Sequence, residues 1–178
     1  IFQFTERGAQ NFARRAKPRS ITDIAAITSI YRPGPLTANV DKLFVEAKEK
    51  LEHGETLEFD HPIIEQVLGE TYGYMIFQES FMLLGKELGD LSWADCDKLR
   101  KVLVKKSIGQ DVNDKKAKES EELRVKFVAG AVTHGMMSEK ANEIWETMKA
   151  FNGYGFNKSL APSNLLNVYN KDGYLLEQ

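Results

Sequence analysis

The strongest constraint on the fold of this chain is a succession of short apolar patterns with helical spacing, separated by residues that start or stop helices. Two capping boxes, Ser20-Ile21-Thr22-Asp23 and Ser92-Trp93-Ala94-Asp95, place a hydroxyl and a carboxylate three residues apart at predicted helix starts. Apolar residues then recur three and four positions apart, as on the buried face of a helix. The same spacing occurs in segments 6–16, 40–51, 62–68, 81–88, 115–133 and 138–151. The sequence therefore predicts a mainly α-helical protein.

Two segments depart from helical spacing and favour short strands. Residues 74–77 are apolar and lie between Gly73 and a predicted helix start, which is typical of a short buried strand. Near the end of the chain, residues 165–169 and 174–176 flank an Asp172-Gly173 turn, a common β-hairpin signal. We therefore expect a mainly α fold with one or two short strands and a C-terminal β-hairpin.

Composition excludes several classes of protein. A chain of 178 residues can form one domain or two small ones, and no apolar run approaches the length of a membrane span. The single Cys96 excludes an intramolecular disulfide and is typical of a reducing cytoplasm, so we expect a cytoplasmic location. Three scattered histidines and this cysteine give no zinc-ligand spacing. The N-terminus lacks both a starting Met and a signal-peptide layout, so we expect the chain to be part of a longer protein.

Charge is unevenly distributed along a nearly neutral chain. The net charge is −2, but residues 46–70 contain eight acidic residues and two lysines. In the helix that follows Ser92, helical spacing places Lys98, Lys101 and Lys105 on one face, with Arg100 and Lys106 beside them and no acid between Lys98 and Lys106. Cations that repel one another in this way favour an anionic partner. The alternative is an ordinary solvated helix surface.

A second cationic motif, Gly153-Tyr154-Gly155-Phe156-Asn157-Lys158-Ser159, follows the last long helical pattern. Its glycines allow a sharp turn, and Asn157, Lys158 and Ser159 offer an amide, an ammonium and a hydroxyl to phosphate oxygens. Taken alone, a motif of this kind is better explained as a helix C-cap followed by a polar turn. Its interpretation depends on the other motifs.

Two further stretches can present functional side chains. Tyr31-Arg32-Pro33-Gly34-Pro35 predicts either a stiff loop that fixes Tyr31 and Arg32 or simply the end of a helix, and these residues alone do not decide between the two. Gln78 and Glu79 lie at the predicted junction of a strand and a helix, where functional side chains are common.

Taken in order, these motifs resemble the α subunit of DNA polymerase III, the bacterial C-family replicative DNA polymerase. The resemblance covers residues 1 to about 159. It rests on five stretches, which are Ile1-Phe2-Gln3-Phe4, Tyr31-Arg32-Pro33-Gly34-Pro35-Leu36, Glu70-Thr71-Tyr72-Gly73 with Ile76-Phe77-Gln78-Glu79, Leu99-Arg100-Lys101 with Lys105-Lys106, and Phe151 with Gly153-Tyr154-Gly155-Phe156-Asn157-Lys158-Ser159. Each stretch is modest alone, but their order and spacing are specific.

The resemblance implies an edge of the palm at residues 1–35, polymerase fingers at 36–158 and a divergent tail at 159–178. It implies a DNA-directed DNA polymerase, with Mg²⁺ held by palm aspartates outside this chain and with neither catalytic residues nor metal ligands inside it. The implied partners are a DNA template-primer, deoxynucleoside triphosphates, the rest of the polymerase chain and other replisome subunits, and no membrane.

The site residues implied by the resemblance fall into two groups. The nucleotide-binding group comprises Arg100, Lys101, Lys105, Lys106, Asn157, Lys158 and Ser159, and the supporting group comprises Tyr31, Arg32, Gln78 and Glu79. Lys101 stands where the family usually has a second arginine, which weakens bidentate phosphate contact there. Ser107 and Ile108 replace the family's usual Lys and Pro, which indicates a divergent member.

The tail departs from the family after Lys158. The sequence from Ser159 onward resembles the beginning of an intein. It has a nucleophile, then Leu160, a short polar stretch and a pattern of paired strands, and the Ser159 hydroxyl would attack the preceding carbonyl. The alternative is divergence, with Ser159 keeping a phosphate-binding role.

Two other hypotheses for the whole chain remain open at this point. One is a catalytically silent helical module that binds nucleotide or nucleic acid. The other is a structural helical protein with an incidental basic face.

Overall fold

A computed structural model describes residues 6–104, 110–152, 155 and 158, with side chains described outside Thr37, Asn152 and residues 103–115. Apart from an isolated bridge at Phe77, the regular secondary structure of this part of the chain is helical, which confirms the predicted mainly α fold class. The α-helices are α1 Arg7–Ala16, α2 Ile21–Ile30, α3 Pro33–Thr37, α4 Val40–Glu52, α5 Pro62–Leu68, α6 Gln78–Glu87, α7 Trp93–Val104, α8 Gln110–Thr133 and α9 Ser138–Asn152, and a 3₁₀ helix spans Gly69–Thr71.

Both predicted capping boxes start helices. The Ser20 hydroxyl accepts a hydrogen bond from the backbone N–H of Asp23 at 3.0 Å, and the Ser92 hydroxyl accepts one from Asp95 at 3.1 Å. These bonds satisfy N–H groups that have no partner within the helix. The Asp23 carboxylate accepts instead from the N–H of Arg19, at 2.8 Å. The helix starts could thus be predicted from local sequence alone.

Buried side chains form two hydrophobic cores. The larger packs α5 to α9 together around Phe81, Leu84, Phe127 and Trp145. The smaller packs α1, α2 and α4 together around buried residues that include Phe12, Ile27, Phe44 and Phe77. Met75 belongs to the larger core, whereas Ile76 and Phe77 belong to the smaller one. The segment before α6 therefore joins the two cores.

The strand predicted at residues 74–77 does not form. Residues 74–76 have no assigned secondary structure, and Phe77 makes only an isolated bridge. Thr71 takes up both backbone groups of Tyr74, because its carbonyl accepts the Tyr74 N–H at 3.1 Å and its hydroxyl donates to the Tyr74 carbonyl at 2.6 Å. Local turn bonds thus replace strand pairing. The predicted hairpin of the tail lies outside the described residues.

The two prolines after Arg32 start a helix. As predicted, α2 ends just before Tyr31, but α3 begins at Pro33 with Arg32 as its N-cap residue, so the stiff-loop interpretation is wrong. The first N–H groups of a helix have no intrahelical acceptor, so the missing donors of Pro33 and Pro35 cost nothing there.

A close contact between two glycines brings α8 against the end of α6. A Cβ atom on Gly130 would lie 2.2 Å from the carbonyl oxygen of Gly89. Only a residue without a side chain permits this approach. None of the helices in the described residues is both long enough and apolar enough to cross a membrane.

Candidate functional site

Lys158 contacts both parts of the motif at residues 70–79, although that motif lies far away in sequence. Its ammonium forms an ion pair with the carboxylate of Glu70, and its backbone N–H donates to Oε2 of Glu79 at 2.9 Å. The ammonium also lies 5.4 Å from the centre of the Phe77 ring, within reach of a cation–π interaction. The structure thus brings the predicted residues Lys158 and Glu79 together, and it adds Glu70 and Phe77.

Gly155 places the same turn directly against α6. A Cβ atom at this position would lie 2.9 Å from Cγ of Gln78 and 3.5 Å from the Phe151 ring. A larger residue would push the turn away from the start of α6, where Gln78 and Glu79 lie. The glycine is therefore needed for close approach.

The basic face of α7 is partly neutralised. Asp97 accepts from Arg100 at 3.0 Å and from Lys101 at 2.5 Å, and the hydrogen bond from Lys101 is the main cause of a lowered pKa for the Asp97 carboxyl. Asp97 lies directly before Lys98 and one turn before Arg100 and Lys101, outside the acid-free segment 98–106 on which the prediction of uncompensated cations rested. Arg100 and Lys101 remain open to solvent, with 39% and 65% of their side chains exposed.

Tyr31 and Arg32 lie between α2 and α3. The Arg32 side chain donates through Nε to the carbonyl of Ser29 at 2.9 Å, and burial lowers the pKa of its guanidinium. Tyr31 packs on the smaller core beside Gly8, where a Cβ atom would lie 2.1 Å from the phenol oxygen. These contacts fix both side chains to the helices that the resemblance assigns to the palm edge.

A buried polar network lies under the Tyr72 motif residue. The Asp23 carboxylate, 3% exposed, accepts from Lys48 at 2.6 Å and from the Tyr72 hydroxyl at 2.8 Å. Burial raises the pKa of Asp23, but hydrogen bonds from Arg19, Lys48 and Tyr72 outweigh it, so the pKa is lowered overall. Burial, reinforced by Asp23, raises the pKa of the Tyr72 hydroxyl.

The network holds the Tyr72 turn against the smaller core. Lys48 also donates to the carbonyl of Lys17 at 3.2 Å, so it links the end of α1 to α2 and to the Tyr72 turn. We did not predict this network. A signal was present, because Lys48 lies four residues after Phe44 on the apolar face of α4.

Similarity to known proteins agrees with these motifs. The sequence pattern of the bacterial DNA polymerase III alpha subunit finger domain matches residues 1–135. The DNA polymerase III subunit alpha of Borreliella burgdorferi is 37% identical over 169 residues, which are 95% of this chain and 14% of that protein. That of Aquifex aeolicus is 36% identical over 160 residues, 89% of this chain and 13% of that protein.

The chain belongs to the DNA polymerase III α-subunit finger-domain family. This finding confirms the resemblance inferred from the five motifs. The finger-domain chain spans about one seventh of the length of these curated relatives.

Several predicted residues of the finger-domain chain lie outside the part that the structure describes. They are Lys105, Lys106, Asn157 and Ser159. Within the described residues, no group of three or more His, Cys, Asp or Glu side chains could hold a metal ion. The described side chains therefore offer no such ligand group for the divalent metal that polymerase relatives imply.

Proposed function

We propose that this chain is the finger region of a DNA-directed DNA polymerase and that it holds the triphosphate of the incoming deoxynucleotide. Family membership supports the polymerase assignment. The observation that carries the choice of residues is the docking of Lys158 against Glu70 and Glu79, which joins the motif at residues 70–79 to the motif that contains Lys158. The chain would act there together with a DNA template-primer, the rest of the polymerase and other replisome subunits.

The solvent-exposed cations on α7 supply the second half of the proposed site. Arg100 and Lys101 both pair with the carboxylate of Asp97, and 39% and 65% of their side chains stay exposed. A triphosphate carries more negative charge than one carboxylate and accepts charge-assisted hydrogen bonds of the same kind. In this proposal the finger residues bind and orient the nucleotide. Mg²⁺ and its chemistry would belong to aspartates outside this chain.

The proposal is tested by Arg100→Ala in the full-length polymerase that contains this chain. Loss of one charge-assisted contact is expected to cost about 1.5–3 kcal/mol, or roughly 10- to 150-fold, in the KM for nucleotide. The Kd for primer-template should change far less. Steady-state primer extension measures the KM, and fluorescence anisotropy measures the Kd.

Arg124→Ala provides a matched control, because Arg124 also pairs with a carboxylate three residues earlier, Glu121, but lies on α8. Its nucleotide KM should stay near that of the unmodified enzyme. Unchanged nucleotide kinetics for Arg100→Ala would show that Arg100 does not contact the triphosphate.

A further inference from the structure

Both donor groups of Lys158 that the structure describes are taken up by carboxylates. Glu70 pairs with the ammonium, and Glu79 accepts from the backbone N–H. We propose that Glu70 is an exchangeable counter-ion of Lys158 that gives way to phosphate oxygens, whereas Glu79 is a positioning residue that keeps its bond to the turn. This inference rests on the proposed nucleotide-binding function. It concerns which carboxylates hold Lys158 in place before the nucleotide binds.

The surroundings of Glu79 favour a permanent contact. Its carboxylate lies in the first turn of α6, where the helix dipole favours a negative charge. Its bond to the Lys158 N–H is partly buried and 2.9 Å long. The neighbouring Gln78 packs against Gly155 of the same turn. Two adjacent residues of α6 therefore hold the backbone of the turn, independently of what the Lys158 ammonium binds.

The surroundings of Glu70 favour exchange. The side chains of Glu70 and Lys158 are 44% and 36% exposed, so water and ions screen their attraction. Exposed ion pairs contribute little net stability, so an incoming phosphate can replace the carboxylate at low cost. The buried Phe77 ring lies beneath the ammonium whichever anion it binds. Glu70 therefore holds the cation near the phosphate position without fixing it there.

The test measures nucleotide affinity in the full-length polymerase with a chain-terminated primer, so that nucleotide binds without reacting. The probe is the complementary deoxynucleoside triphosphate. Removing the competing charge in Glu70→Gln should lower its Kd by about two- to fivefold, the size of an exposed ion pair. Glu79→Gln should raise the Kd, because the turn loses an anchor. Glu65→Gln, which removes a nearby exposed carboxylate on α5, should leave the Kd unchanged.

A double-mutant cycle separates exchange from a general charge effect. In a Lys158→Ala background, Glu70→Gln should no longer lower the Kd. If Lys158→Ala weakens nucleotide binding but Glu70→Gln raises the Kd or leaves it unchanged, Glu70 is a structural partner and exchange is refuted. If Lys158→Ala has no effect on the Kd, the proposed function of the turn fails first, and the exchange fails with it. Thermal unfolding of each variant confirms that the comparison is made on folded protein.

Discussion

The buried Asp23–Lys48 pair provides a quantitative test of the fold. Lys48→Met keeps an unbranched stem among Phe44 and Tyr72 but removes the ammonium that both rings approach, at 6.0 and 5.5 Å. The carboxylate of Asp23 then stays buried with an N–H donor from Arg19 and an O–H donor from Tyr72. Removing one partner of a buried pair costs about 3–5 kcal/mol, and because two donors remain we expect a loss of about 3 kcal/mol.

Urea unfolding followed by circular dichroism measures the free energy of unfolding. Lys17→Met is the matched control, because Lys17 pairs with Glu52 at 3.3 Å and its side chain is 60% exposed. We expect a much smaller change for this variant. A loss below about 1 kcal/mol for Lys48→Met, the range of exposed pairs, would refute the argument.

The pH dependence of the stability of Lys48→Met checks whether its loss of stability is electrostatic in origin. The pKa of Asp23 is lowered in the folded protein, so its contribution to stability is present above the unfolded pKa. That contribution is lost as the pH falls through the lower, folded pKa. A protonated Asp23 carboxyl is neutral, so the Lys48 ammonium no longer stabilises it by charge pairing. The difference in stability between the unmodified chain and Lys48→Met should therefore narrow as the pH falls below about 4. A constant difference would indicate lost packing instead of lost charge pairing.

Two other predictions concern packing and the tail. Gly130→Ala should destabilise the chain by more than about 2 kcal/mol, because its Cβ would overlap the Gly89 backbone, whereas Gly69→Ala, with nothing within 4 Å, should be nearly neutral in the same urea assay. Equal effects of the two substitutions would contradict the close helix contact. If Ser159 begins an intein, the coding sequence downstream should encode a segment that ends in Asn followed by Ser-His. An uninterrupted polymerase sequence directly after Gln178 would exclude splicing.

Local features of the fold could be predicted from the sequence because their causes lie within a few residues. Ser20 and Ser92 cap helices through bonds to residues three positions ahead, so spacing alone identifies them. The prediction of a strand at residues 74–77 was wrong, because apolar spacing does not show that Thr71 satisfies the backbone N–H and carbonyl of Tyr74. Short apolar runs are ambiguous in this way unless their hydrogen-bond partners are known.

Contacts between distant residues could not be predicted in the same way. Lys158 and Glu70 are 88 positions apart, and no spacing rule connects them. The resemblance implied nucleotide binding for Lys158 and a supporting role for Gln78 and Glu79, and both roles stay predictions. The structure shows that Glu79 accepts from the N–H of Lys158 and that Gln78 lies beside Gly155. The ion pair with Glu70 could not be predicted from the sequence, because it depends on how the helices pack.

The position of Lys158 depends on both hydrophobic cores. Phe77, under its ammonium, is fully buried in the core of α1, α2 and α4. Glu79, which holds its backbone, lies two residues later on α6, whose apolar face packs in the other core. A displacement of one core relative to the other would therefore alter the cation–π contact and the backbone bond by different amounts. It follows that Lys158 keeps its present geometry only while the two cores keep their relative arrangement.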